Sequence, residues 1–164
     1  MGIGSFLPSV HKNGGWQSQY RRMIRWYEKF KDTQPGDFEN PNIDGQHDIL
    51  YACFQNIFFL KDWLACDASI SSKLLNEYIN QHVELQLCRD ICNGTKHFNL
   101  NNPSIDGDFT IIREYEPFHK VWGNDRNKII ILSGGYKYEL KALAWSCIGL
   151  WEKFITQHIS KAKN

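Results

Sequence analysis

QHDILYACFQNIFFLKDWLAC, residues 46–66, is the stretch of sequence that decides the fold. Its apolar residues recur every three or four positions, which is the period of an α-helix. The apolar stripe is wider than the single buried face of a surface helix, so the pattern predicts a central, well-buried helix. The stripe consists of Leu50, Phe54, Ile57, Phe58 and Leu64, and it is broadened by Tyr51 and Phe59.

Three further segments share this helical period and predict helices over residues 15–31, 72–93 and 138–160. Residues 32–45 are rich in Pro, Gly, Asn and Asp, which predicts a loop between the first two helices. The connection after the central helix, residues 67–72, is short. We therefore expect the second and third helices to run antiparallel, as in a bundle.

The pattern changes between the third and the last predicted helix. Residues 109–122 and 128–132 are rich in Ile, Phe, Tyr and Val, and GNDRN at 123–127 separates them. Two such runs around a turn-forming segment predict a β-hairpin. The predicted fold class is therefore mainly α, an antiparallel four-helix bundle with a β-hairpin at 109–132 inserted before the last helix.

Length and composition limit the classes of protein to consider. A chain of 164 residues is enough for one domain and not comfortably for two, so we expect a single domain over 1–164 with a loose arm at 1–14. Aromatic residues make up 14% of the chain, which argues against disorder. A net charge of +1 argues against a protein coated in positive charge for binding duplex nucleic acid.

The first predicted helix combines basic with aromatic residues. Such a pattern can bind single-stranded nucleic acid by charge and stacking. The aromatic positions also fit the core side of an amphipathic helix and the basic positions its solvated side, and we prefer this interpretation. The residues are Arg21, Arg22, Arg25, Lys29 and Lys31, interleaved with Trp16, Tyr20, Trp26 and Tyr27.

The cysteines and the chain start indicate the compartment. An odd number of cysteines in apolar runs does not match a disulfide framework, and we expect buried thiols. The spacing lacks the Cys/His pairs of a zinc site, so we predict neither metal nor cofactor. Without a recognisable signal peptide or a run of about 18 apolar residues, we expect a cytoplasmic protein that does not enter a membrane. The cysteines are Cys53, Cys66, Cys88, Cys92 and Cys147.

The string CRDICNGTKH, residues 88–97, is the segment most indicative of chemistry. If the third helix continues through Gly94, Asn93 and His97 lie about 40° apart on one face. Arg89 and Asp90 fall on either side of Asn93, so these residues can converge into one polar cluster at the helix end. Lys96 would flank this cluster.

This cluster suits acid–base or phosphate chemistry. His97 would act as general acid or base, Arg89 or Lys96 would stabilise negative charge, and Asn93 would orient a phosphate or a partner. Asp62 on the central helix needs a partner in its apolar surroundings, and Lys96, His97 or Arg89 can supply one. The alternative interpretation is structural: a polar helix end capped at Asn93 and Gly94, with Arg89, Asp90 and Asp62 solvated.

The central helix, CRDICNGTKHFNL at 88–100 and LWEKFI at 150–155 together resemble the HEPN superfamily. The resemblance covers residues 46–100 and 137–158, about half of the chain. HEPN proteins are small helical bundles of toxin–antitoxin, abortive-infection and RNA-processing systems. They are generally dimers, and their catalytic members are metal-independent ribonucleases with an Arg, a polar residue and a His a few residues further on.

The resemblance implies a bacterial or phage defence protein that binds or cleaves RNA without metal. It assigns His97, Asn93 and Arg89 to catalysis and Lys96, Asp90 and Asp62 to phosphate or partner binding. The motif differs from the HEPN pattern, because seven residues separate Arg89 from His97 and Cys92 stands before Asn93. The expected partners are a second copy of the chain, RNA or a nucleotide, and an antitoxin or other defence protein. The alternatives are a non-enzymatic protein-interaction module, for example one carried by a phage or mobile element, and a nucleotide-binding protein.

Overall fold

A computed structural model shows a mainly helical protein with a small antiparallel sheet, as the sequence predicts. It describes residues 14–33, 43–96, 104–105, 109–114 and 128–159. The predicted arm at 1–14 lies outside these ranges apart from Gly14. The elements within them are α1 (Gly15–Asp32), α2 (Ile43–Asp67), α3 (Ser72–Asn80), α4 (Val83–Lys96), β1 (Thr110–Glu114), β2 (Lys128–Ser133), β3 (Tyr136–Glu139) and α5 (Leu140–His158).

The predicted central helix is α2. Its core-facing residues are almost completely removed from solvent, and they contact the buried side chains of α1, α4 and α5 in one continuous core. The apolar stripe read from the sequence explains this burial, since it covers more of α2 than one neighbour can bury. The α2 residues that are 0 or 1% exposed are Leu50, Cys53, Phe54, Ile57, Leu60 and Leu64.

α1 packs antiparallel against α2, and a contact at its first turn fixes where it begins. The backbone N–H of Trp16 donates to Oδ2 of Asp67, the last residue of α2, at 2.9 Å. A carboxylate at a helix N-terminus satisfies an otherwise free N–H and complements the helix dipole. Gly15 has a φ of 52°, and a Cβ there would lie 2.2 Å from the same Asp67 oxygen. Only glycine therefore fits beside this cap.

The helix expected over residues 72–93 is two helices, α3 and α4, so the described ranges hold five helices and a four-helix bundle is not confirmed. The chain leaves the helical path after Gln81. The backbone N–H of His82 bonds Ile79 O at 3.2 Å, and its ring Nδ1 bonds Tyr78 O at 2.8 Å. The imidazole thus bonds the Tyr78 carbonyl, which in a continuing helix would accept the backbone N–H of residue 82. The chain turns at this point.

The sheet has three antiparallel strands in the order β1–β2–β3. Ile111 of β1 pairs with Ile131 of β2, which confirms the predicted antiparallel pairing of these two runs. β1 covers the start of its predicted run, whose residues 115–122 lie outside the described ranges, and β2 ends at Ser133, one residue beyond its predicted run. β3 was not predicted. It pairs with β2 through a turn at Gly134 and Gly135, whose φ values of 58° and 81° suit a two-residue hairpin turn.

α5 begins at Leu140, two residues after the predicted start, because Glu139 caps it with its carboxylate. At the second residue of α5, Lys141 Nζ donates to the backbone oxygens of Lys31 at 2.8 Å and Thr33 at 2.7 Å. These carbonyls at the end of α1 have no helical partner of their own, so Lys141 ties the end of α1 to the start of α5. In the described part of the chain, no helix is long and apolar enough to cross a membrane.

Candidate functional site

α4 continues through Gly94 as far as Lys96, which is the condition for the predicted polar cluster. At the helical rotation of about 100° per residue, Arg89, Asn93 and Lys96 lie within an arc of about 60°. We call these three residues the α4 polar face. Arg89 and Asn93 are both partly exposed. Of Lys96 the structure describes the backbone position, and His97 lies outside the described residues.

Asp90 is turned away from this face into the protein. It is 0% exposed. Its Oδ1 and Oδ2 accept the backbone N–H of Ser104 at 2.8 and 3.0 Å, and Oδ2 also accepts that of Ile105 at 3.2 Å. A buried carboxylate needs such donors, and here the donors come from the chain's own backbone. Asp90 therefore fastens a loop segment, whereas the sequence analysis assigned it to phosphate or partner binding.

Arg89 contacts the same segment from the neighbouring position. Its Nε donates to Ser104 Oγ at 2.7 Å. Ile105 in turn contacts the turn between β2 and β3, because its Cγ2 lies 2.9 Å from where a Cβ on Gly134 would be. Arg89 and Asp90 together thus connect α4 to the sheet through residues 104 and 105.

Gly94 and Thr95 position the end of α4 against its neighbours. A Cβ on Gly94 would lie 2.8 Å from Cζ of Phe109, whose ring packs against the core. Gln55 of α2 donates from Nε2 to Thr95 Oγ1 at 3.2 Å, and Thr95 Oγ1 donates to Cys92 O at 2.8 Å. Glycine at this position therefore serves close packing within the helix and does not end it.

Asp62, for which an anchoring and a solvated role were both open, lies at the surface. Its side chain is 62% exposed, and it pairs with Lys61 Nζ at 2.7 Å. Exposed pairs of this kind contribute little to stability. The structure thus places Arg89, Asn93 and Lys96 together, turns Asp90 inward and leaves Asp62 at the surface.

A second group of polar and aromatic residues lies where α1 and α2 meet. The sequence did not predict that the residues of α1 and those of α2 lie side by side. The Arg22 guanidinium lies 5.8 Å from the centre of the Trp63 ring, and Lys29 Nζ lies 4.5 Å from the Trp26 ring. Phe59, which was expected to broaden the buried stripe of α2, is instead 44% exposed. Phe59 lies at the edge of the predicted stripe, one turn before Trp63, and this position was the signal in the sequence that could have predicted its exposure.

Four of the five cysteines are buried, as expected, and Cys66 is exposed. Burial raises the pKa of the Cys53 and Cys88 thiols, and the nearby Cys92 and Cys147 raise it further. Among the residues that the structure describes, no three His, Cys, Asp or Glu side chains are grouped so that they could hold a metal ion.

No family model, curated protein or solved structure matches the chain. The resemblance to HEPN proteins therefore depends on the sequence segments quoted above, and it stays a prediction.

Proposed function

We propose that this protein is a HEPN-like RNA-binding protein that holds RNA phosphates with the α4 polar face. One observation carries the proposal: the carboxylate of Asp90, the acid in this segment, is buried and bonded to the backbone of Ser104 and Ile105. The face that remains consists of a guanidinium, an amide and an ammonium. Phosphate oxygens are bound by such groups, and a carboxylate among them would repel the phosphate.

Binding is better supported than cleavage by the composition of the α4 polar face. Cleavage needs an acid–base group beside the scissile phosphate as well as donors held in place, and this face as defined contains neither a histidine nor a carboxylate. Arg89 Nε is engaged with Ser104 Oγ, and this bond holds its guanidinium against the loop segment. The remaining guanidinium N–H groups suit a fixed phosphate contact. We retain His97 as the proposed acid–base residue only if cleavage is observed.

Fluorescence anisotropy with an unstructured, end-labelled single-stranded RNA tests this function. We expect saturable binding, and Lys96→Gln should weaken it and lower the slope of log K against log salt by about 1. Lys153→Gln, on the exposed side of α5, is the matched control and should bind like the wild type. Equal binding by both variants would contradict an RNA site at the end of α4.

The alternatives predict different results in the same assay. A nucleotide-binding protein would take free nucleotides and let them displace the RNA, and a protein-interaction module would leave the RNA unbound. Intact RNA after long incubation with a chelator would leave binding as the function. Metal-independent loss of the RNA, abolished by His97→Ala, would instead show the ribonuclease.

We also propose the homodimer and the defence or toxin–antitoxin setting that the HEPN resemblance implies. Light scattering of the purified protein should give a mass twice that of the chain if the dimer forms. A mass equal to that of one chain would contradict it.

A further inference from the structure

The residues where α1 and α2 meet form one exposed surface, which we call the α1–α2 face. On α1, four residues fall within an arc of about 100° that flanks the buried side formed by Met23 and Phe30. Two aromatic residues of α2 lie beside them, since Arg22 reaches the ring of Trp63. The face consists of Arg22, Arg25, Trp26 and Lys29 of α1 and of Phe59 and Trp63 of α2.

The rings of this face are held in place and partly exposed. Arg22 donates to Gln19 Oε1 at 3.0 Å, and Gln19 is buried and donates to Asn56 O at 3.0 Å. This chain of hydrogen bonds fixes the guanidinium above Trp63. The Trp26 ring has Lys29 beside it, and Phe59 stands 44% exposed. Phe59 is the ring of this face that presents an exposed flat surface to a ligand, because cations lie over Trp63 and Trp26.

The charge of the face is positive. Arg22, Arg25 and Lys29 belong to it, and three acids that border it are already engaged. Their contacts are an ion pair of Glu28 with Lys31, an ion pair of Asp62 with Lys61, and the hydrogen bond that Asp67 accepts from the backbone N–H of Trp16. An anionic ligand with flat groups is the chemical complement of such a surface.

Single-stranded RNA has this chemistry. Its unpaired bases stack on aromatic rings while its phosphates pair with lysine and arginine. The bases of a duplex are already stacked on each other and are not available to the rings. An acidic peptide would satisfy the cations and leave the exposed ring of Phe59 unused. The rings thus favour a single strand over both.

A row of side chains along α2 connects this face to the α4 polar face. Gln55, Phe59 and Trp63 follow each other at intervals of four residues, which places neighbours about 6 Å apart on one side of the helix. Gln55 bonds Thr95 at 3.2 Å, and Thr95 precedes Lys96 in α4. At the other end, Trp63 lies under Arg22 of α1.

We propose that a single strand of RNA lies along this row, beside Trp63 and Trp26, with a base stacked on Phe59 and its phosphates on Arg25 and Lys29. This proposal rests on the proposed function only for the α4 end of the path, because the α1–α2 face can bind a strand by itself.

The test measures binding of the full chain to an unstructured single-stranded RNA of about 16 nucleotides by anisotropy. Phe59→Ala should weaken binding about tenfold, the loss of one stacked base. The double variant Arg25→Gln, Lys29→Gln should lower the salt slope by about 2. Trp145→Ala removes a tryptophan that is 57% exposed on α5, and Lys153→Gln removes an exposed lysine; both controls should bind like the wild type.

The outcomes separate this proposal from the proposed function. If Lys96→Gln loses RNA binding while Phe59→Ala and the Arg25→Gln, Lys29→Gln double variant bind like the wild type, the proposed strand path over the α1–α2 face is overturned. The α4 site then stays in place. If those α1–α2 variants lose RNA binding while Lys96→Gln binds like the wild type, the α4 site is overturned and the α1–α2 face remains as the RNA-binding surface. Displacement of the RNA by poly-glutamate at equal charge, or tighter binding of the matching duplex, would show that the face does not recognise a single strand.

Discussion

The buried carboxylate of Asp90 receives the backbone N–H of Ser104 on both of its oxygens, at 2.8 and 3.0 Å. A side chain in α4 thereby fixes a backbone position 14 residues further along the chain. The same segment contacts the β2–β3 turn, so this bond joins the helices to the sheet. Residues 88–97, which suggested a functional site, therefore also connect the helices to the sheet.

Asp90→Ala should lower the free energy of unfolding by about 3 kcal/mol, because it leaves the N–H groups of Ser104 and Ile105 without their charged acceptor. Asp62→Ala is the matched control, since its carboxylate is exposed, and it should change stability by less than about 0.5 kcal/mol. Urea denaturation measures both. Equal effects of the two substitutions would show that Asp90 does not hold the segment.

Gly94→Ala should destabilise the protein by about 1 kcal/mol or more, although alanine is the better helix former. The added Cβ would lie 2.8 Å from Phe109 Cζ, so the ring has to move within its packed surroundings. Gly149→Ala in α5 meets nothing within 4 Å and should stabilise the protein by about 0.5–1 kcal/mol. Thermal unfolding of the two variants should therefore shift in opposite directions, and a stabilised Gly94→Ala would contradict the close contact.

Cys66 should be the one cysteine that reacts quickly with a thiol reagent in the native protein. The other four are buried, and desolvation raises the pKa of Cys53 and Cys88, which lowers the fraction of reactive thiolate. A titration with a chromogenic disulfide should show one fast equivalent, which Cys66→Ser removes, and all five after denaturation. Several fast equivalents in the native state would contradict the burial of the other four.

Tyr20 should make stability fall in strongly alkaline solution. Burial, with the hydrogen bond to Glu152 Oε1 at 2.6 Å, raises the pKa of Tyr20 from 10.0 to about 12. Between these two values the unfolded chain has lost the phenol proton and the folded protein retains it, so the free energy of unfolding decreases as the pH rises. Below pH 10 both states are protonated and the contribution is fully present.

Urea denaturation across this pH window should show a smaller decrease for Tyr20→Phe than for the wild type. Tyr136→Phe, which alters an exposed tyrosine of β3, is the control and should keep the wild-type slope. A Tyr20→Phe variant with the wild-type slope would show that the phenol does not titrate late in the folded protein.

The helices could be predicted from the sequence wherever one periodic stripe determined burial. Leu50, Phe54 and Ile57 are buried as predicted, because consecutive turns of α2 face the same core. Phe59 is exposed although it belongs to the stripe, because the stripe does not show which of its edge positions a neighbouring helix covers. The break before α4 was missed because His82 continues the spacing of the apolar face, and its ring bond to Tyr78 O appears only in three dimensions.

The polar segment shows the same limit. Helical geometry correctly placed Arg89 and Asn93 on one face once α4 was found to continue through Gly94. Asp90 is buried because it accepts the backbone N–H of Ser104, which lies 14 residues further along the chain. The sequence around Asp90 does not predict this contact. Likewise, Arg22 comes from α1 and Trp63 from α2, so their contact appears only once the two helices pack.

The salt dependence of RNA binding tests the central claim most directly. Four cations, Arg25 and Lys29 on the α1–α2 face and Arg89 and Lys96 on the α4 polar face, are proposed to contact the phosphates of one strand, which predicts a slope of log K against log salt of about −3. Anisotropy of a labelled single-stranded RNA between about 50 and about 200 mM salt measures it. A linear decrease near this slope is the result we predict. No saturable binding at the lowest salt, or an affinity that does not change with salt, would contradict the account.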